Sequence, residues 1–187
     1  MQASDDAAVA GAKGGDRDAF RTLVERHSRY LFGVAYRMTG NAEDARDVVQ
    51  DTWLKAHSQL GRFEARANVR TWLTRIAINC AIDYIRRTRR HEAASDSLFD
   101  GRGGHEQPAF QPLPDRLVLA GEIGTRIEGT MRCLTALERA AFVLRHVEGM
   151  SIDEIGNALG LNTSATKHSI FRAVRKMRVA LAPFKEA

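Results

Sequence analysis

The chain has 187 residues, a formal net charge of +5 and a pI near 9.6. That length holds one ordinary domain or two small ones, and the basic balance suits a polyanionic partner. No apolar run approaches the roughly 20 residues of a bilayer span, and the start, MQASDDAAVAGAKGGDRDAF, lacks the basic segment and apolar run of a secretory signal, so a cytoplasmic protein without membrane insertion is expected.

Nearly every periodic segment has helical spacing and no set of alternating strands is found, so the predicted fold is all-α. Residues 1–15 read as an N-terminal tail. Asp18 to about Met38 reads as one or two helices, with Phe20, Leu23, Val24, Tyr30, Leu31, Val34, Ala35 and Met38 as core positions. Gly40 and Asn41 break the chain, and Asn41 can cap the helix AEDARDVVQDTWLKAHSQL, whose first turn carries Glu43 and Asp44. On that helix Ala45, Val48, Val49, Thr52 and Ala56 point one way, while Asp44, Asp47, Gln50 and Asp51 gather on another. Such an acidic stripe is either solvated surface or a docking face for a basic partner.

The next segment, GRFEARANVRTWLTRIAINCAIDYIRRTRR, carries eight arginines against two acidic residues. Opposite charges are thus segregated along the N-terminal half, which lets one surface meet nucleic acid and another a basic protein patch. Val69, Trp72, Leu73, Ile76, Cys80 and Tyr84 form a core-facing set, opposite a polar stripe of Thr71, Arg75, Asn79, Asp83, Arg86 and Arg90. The Asn79 carboxamide offers a donor and an acceptor to an unstacked base, or else satisfies backbone groups; Phe63 and Trp72 either stack on bases or fill the core.

Residues 91–115, HEAASDSLFDGRGGHEQPAFQPLPD, hold three of the four prolines and three glycines without clean periodicity, and read as a flexible linker between an N-terminal helical domain at 16–90 and a smaller one at 116–187. In the latter, MSIDEIGNALGLNTSATKHSIFRAVRKM predicts two helices. Ser151 and Glu154 form a capping box, Gly160 ends the first helix in the left-handed conformation, and Asn162 or Thr163 caps a second that runs towards Leu181. Thr166, Ile170, Ala173, Val174, Met177 and Leu181 make its inner stripe. Lys167, His168, Phe171, Arg172, Arg175 and Lys176 face outwards, as a solvated basic face or as the recognition surface of a helix-turn-helix in a DNA major groove.

Cys80 and Cys133 lie in apolar helical stretches without zinc spacing and are expected as buried thiols in a reducing compartment. The six histidines are dispersed, with His27 and His57 read as structural or surface residues, and no phosphate-binding loop appears. Catalytic residues, metal ligands and cofactors are therefore each assigned as none, and an enzyme is not expected.

The stretches EDARDVVQDTWLKAH, RFEARANVRTWLTRIAINCAIDYIRR and LTALERAAFVLRHVEGMSIDEIGNALGL closely resemble the bacterial sigma-70 family, specifically the extracytoplasmic-function sigma factors, over about Asp16 to Arg90 and Leu117 to Leu181. The resemblance implies a sigma-2 domain, a flexible linker and a sigma-4 helix-turn-helix domain. It also implies a promoter-specificity subunit that binds core RNA polymerase through its β′ clamp and β subunits, recognises the −10 and −35 promoter elements and promotes strand opening without hydrolysing nucleotides. By the same resemblance, Asp47, Gln50, Asp51 and Trp53 match the surface that docks on the β′ coiled coil. Arg66, Asn68, Arg70, Arg75, Asn79, Arg86 and Arg87 fall in the element that captures a flipped −10 base and holds the opened strand. Thr163, Ser164, Lys167, His168, Phe171, Arg172 and Arg175 would face the −35 duplex, with Ser169 and Val174 standing where many members have arginine. An anti-sigma factor is a further partner that the resemblance admits. The alternative from another class is a stand-alone helix-turn-helix regulator of duplex operators, which leaves the acidic stripe and the basic segment with Asn79 unexplained.

Overall fold

The structure, a computed structural model, describes residues 2–64, 68–96 and 115–184. Among them every regular element is helical and no strand occurs. The expected linker falls mostly on 97–114, outside the described residues.

Four helices build the N-terminal domain: α1 (Gln2–Lys13), α2 (Arg17–Thr39), α3 (Ala42–Gln59) and α4 (Val69–Asp96), with a 3-10 turn at Leu60–Arg62. Asp16 caps α2 by accepting from the Asp18 and Ala19 amides, and Gly40 closes it with φ 73°. The apolar stripe of α2 puts Leu23, Leu31, Val34 and Met38 in the core at no more than 1% exposure. Each such side chain contributes about 1.5–3 kcal/mol of burial. The α3 and α4 helices pack against α2 and against each other.

Residues 2–13, expected as part of a tail, form α1 instead and lie along α2. Two apolar side chains, Ala8 and Val9, hold it down, and the buried Asp5 carboxylate meets Arg26 at 3.1 Å and His27 Nε2 at 3.2 Å. A helix anchored by so few apolar groups and one buried carboxylate leaves little periodicity to read.

The C-terminal domain comprises α5 (Asp115–Cys133), α6 (Ala136–Phe142), a π turn at Val143–Val147, α7 (Ile152–Leu159) and α8 (Thr163–Leu181), ending in a 3-10 turn at Ala182–Phe184. Thr135 and Glu138 form a capping box at α6, and Lys176 on α8 reaches the Glu138 carboxylate at 2.7 Å. Burial alone would raise the Glu138 carboxyl, but the Lys176 ammonium and the Thr135 donors outweigh it and hold the group below the usual carboxylate range.

The two domains touch. Helix α6 packs on α4 and α2, and α7 also meets α4. One apolar core runs from Leu23, Leu73 and Ile78 through Ala140 and Leu144 to Ile155 and Ala158. Within this seam Arg139, 4% exposed, donates to the Met38 carbonyl.

Candidate nucleic-acid interface and acidic docking face

The acidic stripe is set by the cap of α3. Asn41 accepts from the Glu43 and Asp44 amides at 2.7 and 3.2 Å, which fixes the helical phase so that Asp47 and Gln50 are exposed and Asp51 half-buried. With Leu54, Tyr84 and Arg87 they border a shallow hollow between α3 and α4. Tyr84, expected in the core, is only half-buried and donates to Asp44 Oδ1 at 2.6 Å. That hydrogen bond, then burial, pushes its hydroxyl up to about 12. Leu54, 65% exposed, gives this face an apolar contact that the sequence reading missed. The available signal was its phase, which is off the stripe of Ala45, Val48, Thr52 and Ala56.

Trp53 does not join the hollow. Its indole Nε1 donates to Ser28 Oγ at 3.1 Å and its ring meets Phe20 edge-on at 5.8 Å, which turns it towards α2. Arg87, assigned with the −10 residues, lies instead beside the acidic stripe, 3.5 Å from Asp51.

On the other side of α4 a second group assembles. Asn68 uses its side-chain oxygen to accept from the Arg70 amide at 2.9 Å, so it holds the first turn of the helix. The Arg70 guanidinium lies over the Tyr30 ring at 3.8 Å, a cation–π contact. Arg75 is half-buried, with its Nε lacking a hydrogen-bond partner among the described residues. Asn79 remains exposed, although its Nδ2 donates to the Ala158 carbonyl at 3.3 Å. Arg86 is exposed further along, and Arg66 lies outside the described residues. Phe63 is buried and packs against the half-buried Trp72 at 4.8 Å, which commits both rings to the core.

Tyr30, expected as core, packs against it but is only half-buried. Its hydroxyl reaches Thr74 Oγ1 at 2.8 Å and donates to the carboxylate of Glu148 in the C-terminal domain. Aromatic periodicity alone could not have separated it from Leu31 and Val34.

The third surface belongs to α7 and α8. Ser151 and Glu154 form the predicted capping box, and Gly160, at φ 65°, ends α7. Hydrogen bonds from the Ser151 amide and hydroxyl hold the Glu154 carboxyl below its usual value, with a smaller contribution from the charge of Arg75. Gly156 permits the sharp crossing, since a Cβ there would sit 2.8 Å from the Leu161 carbonyl oxygen. Asn162 caps α8 by accepting from the Ala165 amide at 2.8 Å. Thr163, Ser164, Lys167, His168, Phe171, Arg172 and Arg175 are all exposed, with Phe171 at 66%. Helix α8 therefore presents cations, hydroxyls and one aromatic to solvent, an arrangement fitted to phosphates and base edges. Ser169 is half-buried and donates to the Ala165 carbonyl at 2.9 Å, so its hydroxyl is spent on the helix itself. Arg172 and Arg175 also border a groove of about 1370 Å³ between α5 and α8.

Cys80 is buried, and burial pushes its thiol up. Cys133, expected to be buried as well, is exposed because it lies at the end of α5, where only one side of the helix meets α8. Among the described residues no group of His, Cys, Asp and Glu could hold a metal ion, and no helix is long and apolar enough to cross a membrane.

Residues 23–91 match the family described as Sigma-70 region 2, and residues 125–177 match Sigma-70, region 4. The chain is 31% identical to the RNA polymerase sigma-H factor of Pseudomonas aeruginosa over 186 residues, covering 97% of this chain and 96% of that protein. It is 30% identical to the ECF RNA polymerase sigma factor SigW of Bacillus subtilis over 177 residues, covering 92% and 94%. Among solved structures, CnrH in complex with the cytosolic domain of CnrY is 31% identical, with a TM-score of 0.63 over 96% of this chain and 98% of that one. The sigma factor RpoE of Bartonella quintana, solved with the anti-sigma factor NepR, shares the fold at 22% identity and a TM-score of 0.63, over 87% and 96%.

Proposed function

The chain belongs to the extracytoplasmic-function sigma factors of the sigma-70 family, and from that premise we propose how its three surfaces divide the work of promoter recognition. As a promoter-specificity subunit of bacterial RNA polymerase it binds the core enzyme and promoter DNA, and it is not itself an enzyme. The α3 hollow of Asp47, Gln50, Asp51 and Leu54 docks on a basic patch of the core. The α4 face of Arg70, Arg75 and Asn79 takes the opened −10 strand. The exposed face of α8, from Thr163 to Arg175, enters the major groove at −35.

The observation that carries this division is the segregation of charge: carboxylates collect on α3, while arginines with the exposed Asn79 collect on α4 and an exposed basic face lies on α8. Opening DNA costs stacking and pairing, and holding an extruded base beside Asn79 offsets part of that cost. A stand-alone duplex-binding regulator would leave the α3 and α4 faces without a role. Since the polymerase works in the cytoplasm, we place the chain there. CnrH was solved with the cytosolic domain of CnrY and RpoE with the anti-sigma factor NepR, and an anti-sigma factor is a partner we propose here too.

The direct test is transcription from a library of randomised promoters by purified core polymerase with and without the chain. Transcripts that need the chain and share two spaced elements support the reading. No chain-dependent transcript from a competent core would sink it.

A further inference from the structure

The α4 face assigned to the opened strand meets the chain's own C-terminal domain at two polar contacts in this structure. The contacting atoms are chemically specific. Glu148, at the end of the π turn, accepts a hydrogen bond from the Tyr30 hydroxyl. Thr74 fixes that hydroxyl from below at 2.8 Å, and the Arg70 guanidinium sits on the Tyr30 ring at 3.8 Å. A cation and a buried hydroxyl thus converge on Tyr30, whose hydroxyl alone reaches the carboxylate. The neighbouring contact is Asn79 with the Ala158 carbonyl.

We propose that Tyr30, backed by Thr74 and Arg70, is a phosphate-binding subsite for the opened promoter strand, and that Glu148 occupies it while the two domains are packed together. This rests on the reading of the chain as a promoter-binding subunit. A phosphodiester carries the same charge as the carboxylate and presents acceptor oxygens to the same donor, so the two compete for one place. Tyr30 and Asn79 both meet the C-terminal domain, at Glu148 and at the Ala158 carbonyl, so one strand that displaces that domain can touch both. The packed arrangement leaves the Nε atoms of Arg75 and Arg139 buried without a hydrogen-bond partner among the described residues, and separation returns both to water.

Fluorescein-labelled single-stranded DNA of mixed sequence is the probe, titrated into the free full-length chain and into its complex with core polymerase. In the free chain Glu148→Gln is expected to tighten DNA binding at least about tenfold, the worth of one hydrogen bond to a charged group. Adding Tyr30→Phe, which keeps the ring and loses only the donor, should cancel that gain. In the polymerase complex Tyr30→Phe should weaken DNA binding by a similar factor while core affinity stays unchanged. Equal DNA affinities for all variants, with core binding intact, would overturn the subsite. A parent chain that fails to bind core would instead overturn the functional reading itself.

Discussion

The guanidinium of Arg139 donates to the carbonyl oxygen of Met38, joining α6 to the last turn of α2 across the seam between the domains. No carboxylate pairs with it among the described residues, and burial, then repulsion from Arg89 and Arg132, pushes it down to about 10. The C-terminal end of a helix is a favourable place for a cation, because its last carbonyls lack partners. Arg139→Ala would leave that carbonyl and a void behind. The expected loss is about 2–4 kcal/mol of stability, read by urea unfolding, together with a longer distance between labels on the two domains. An unchanged distance would show that the seam does not depend on this contact.

Gly156→Ala should damage the helix-turn-helix selectively. The added methyl meets the backbone oxygen of Leu161 at 2.8 Å, which a side-chain rotation cannot relieve. A cost of about 1–3 kcal/mol is expected, with a lower melting temperature and weaker binding to duplex DNA. Full retention of both would mean that α7 and α8 can move apart freely.

Glu138 predicts an acid-sensitive joint between α6 and α8. Its carboxyl is held below the usual range, so its contribution is present above the unfolded carboxylate value and is lost as pH falls through the lower native one. The stability difference between the parent and Glu138→Gln should therefore be largest near neutral pH and shrink below about pH 4.5. Thermal melts of both proteins across that window check the sign.

Reversing the acidic face, Asp47→Lys with Asp51→Lys, is expected to weaken core-polymerase binding at least about tenfold. Stability should change by less than about 1 kcal/mol, since the Asp51–Arg87 pair is partly exposed on both sides. Unaltered affinity would reduce the stripe to solvated surface.

On α8, Lys167→Ala should lower the salt slope of duplex binding by about 0.9, the contribution of one phosphate contact. Ser169→Ala should change binding little, because its hydroxyl is already bonded to the Ala165 carbonyl. Equal slopes for Lys167→Ala and the parent would take that lysine off the interface.

Local signals carried most of the helical architecture. Asn41, Ser151 with Glu154, Gly160 and Asn162 each act within a few residues, so their caps stand where spacing puts them. The exposed basic face of α8 was equally legible, since a helix facing solvent on one side keeps its period. The three stretches that resemble the sigma-70 family were sufficient to identify it, and the two family regions match at 23–91 and 125–177.

What the sequence alone determined, then, was the all-helical class, the caps at Asn41, Ser151, Gly160 and Asn162, and the family. Tertiary structure decided which neighbours each side chain meets. It turned Trp53 to Ser28, put Arg87 beside Asp51, anchored α1 through Asp5 and brought Glu148 to Tyr30. Each of these pairs except Asp5 with Arg26 and His27 spans at least 25 residues, and even that one needs a separate helix laid across α2. Periodicity reports only which face a residue is on. Which surface covers that face depends on how whole helices and domains pack, and that is settled by contacts between residues distant in the chain.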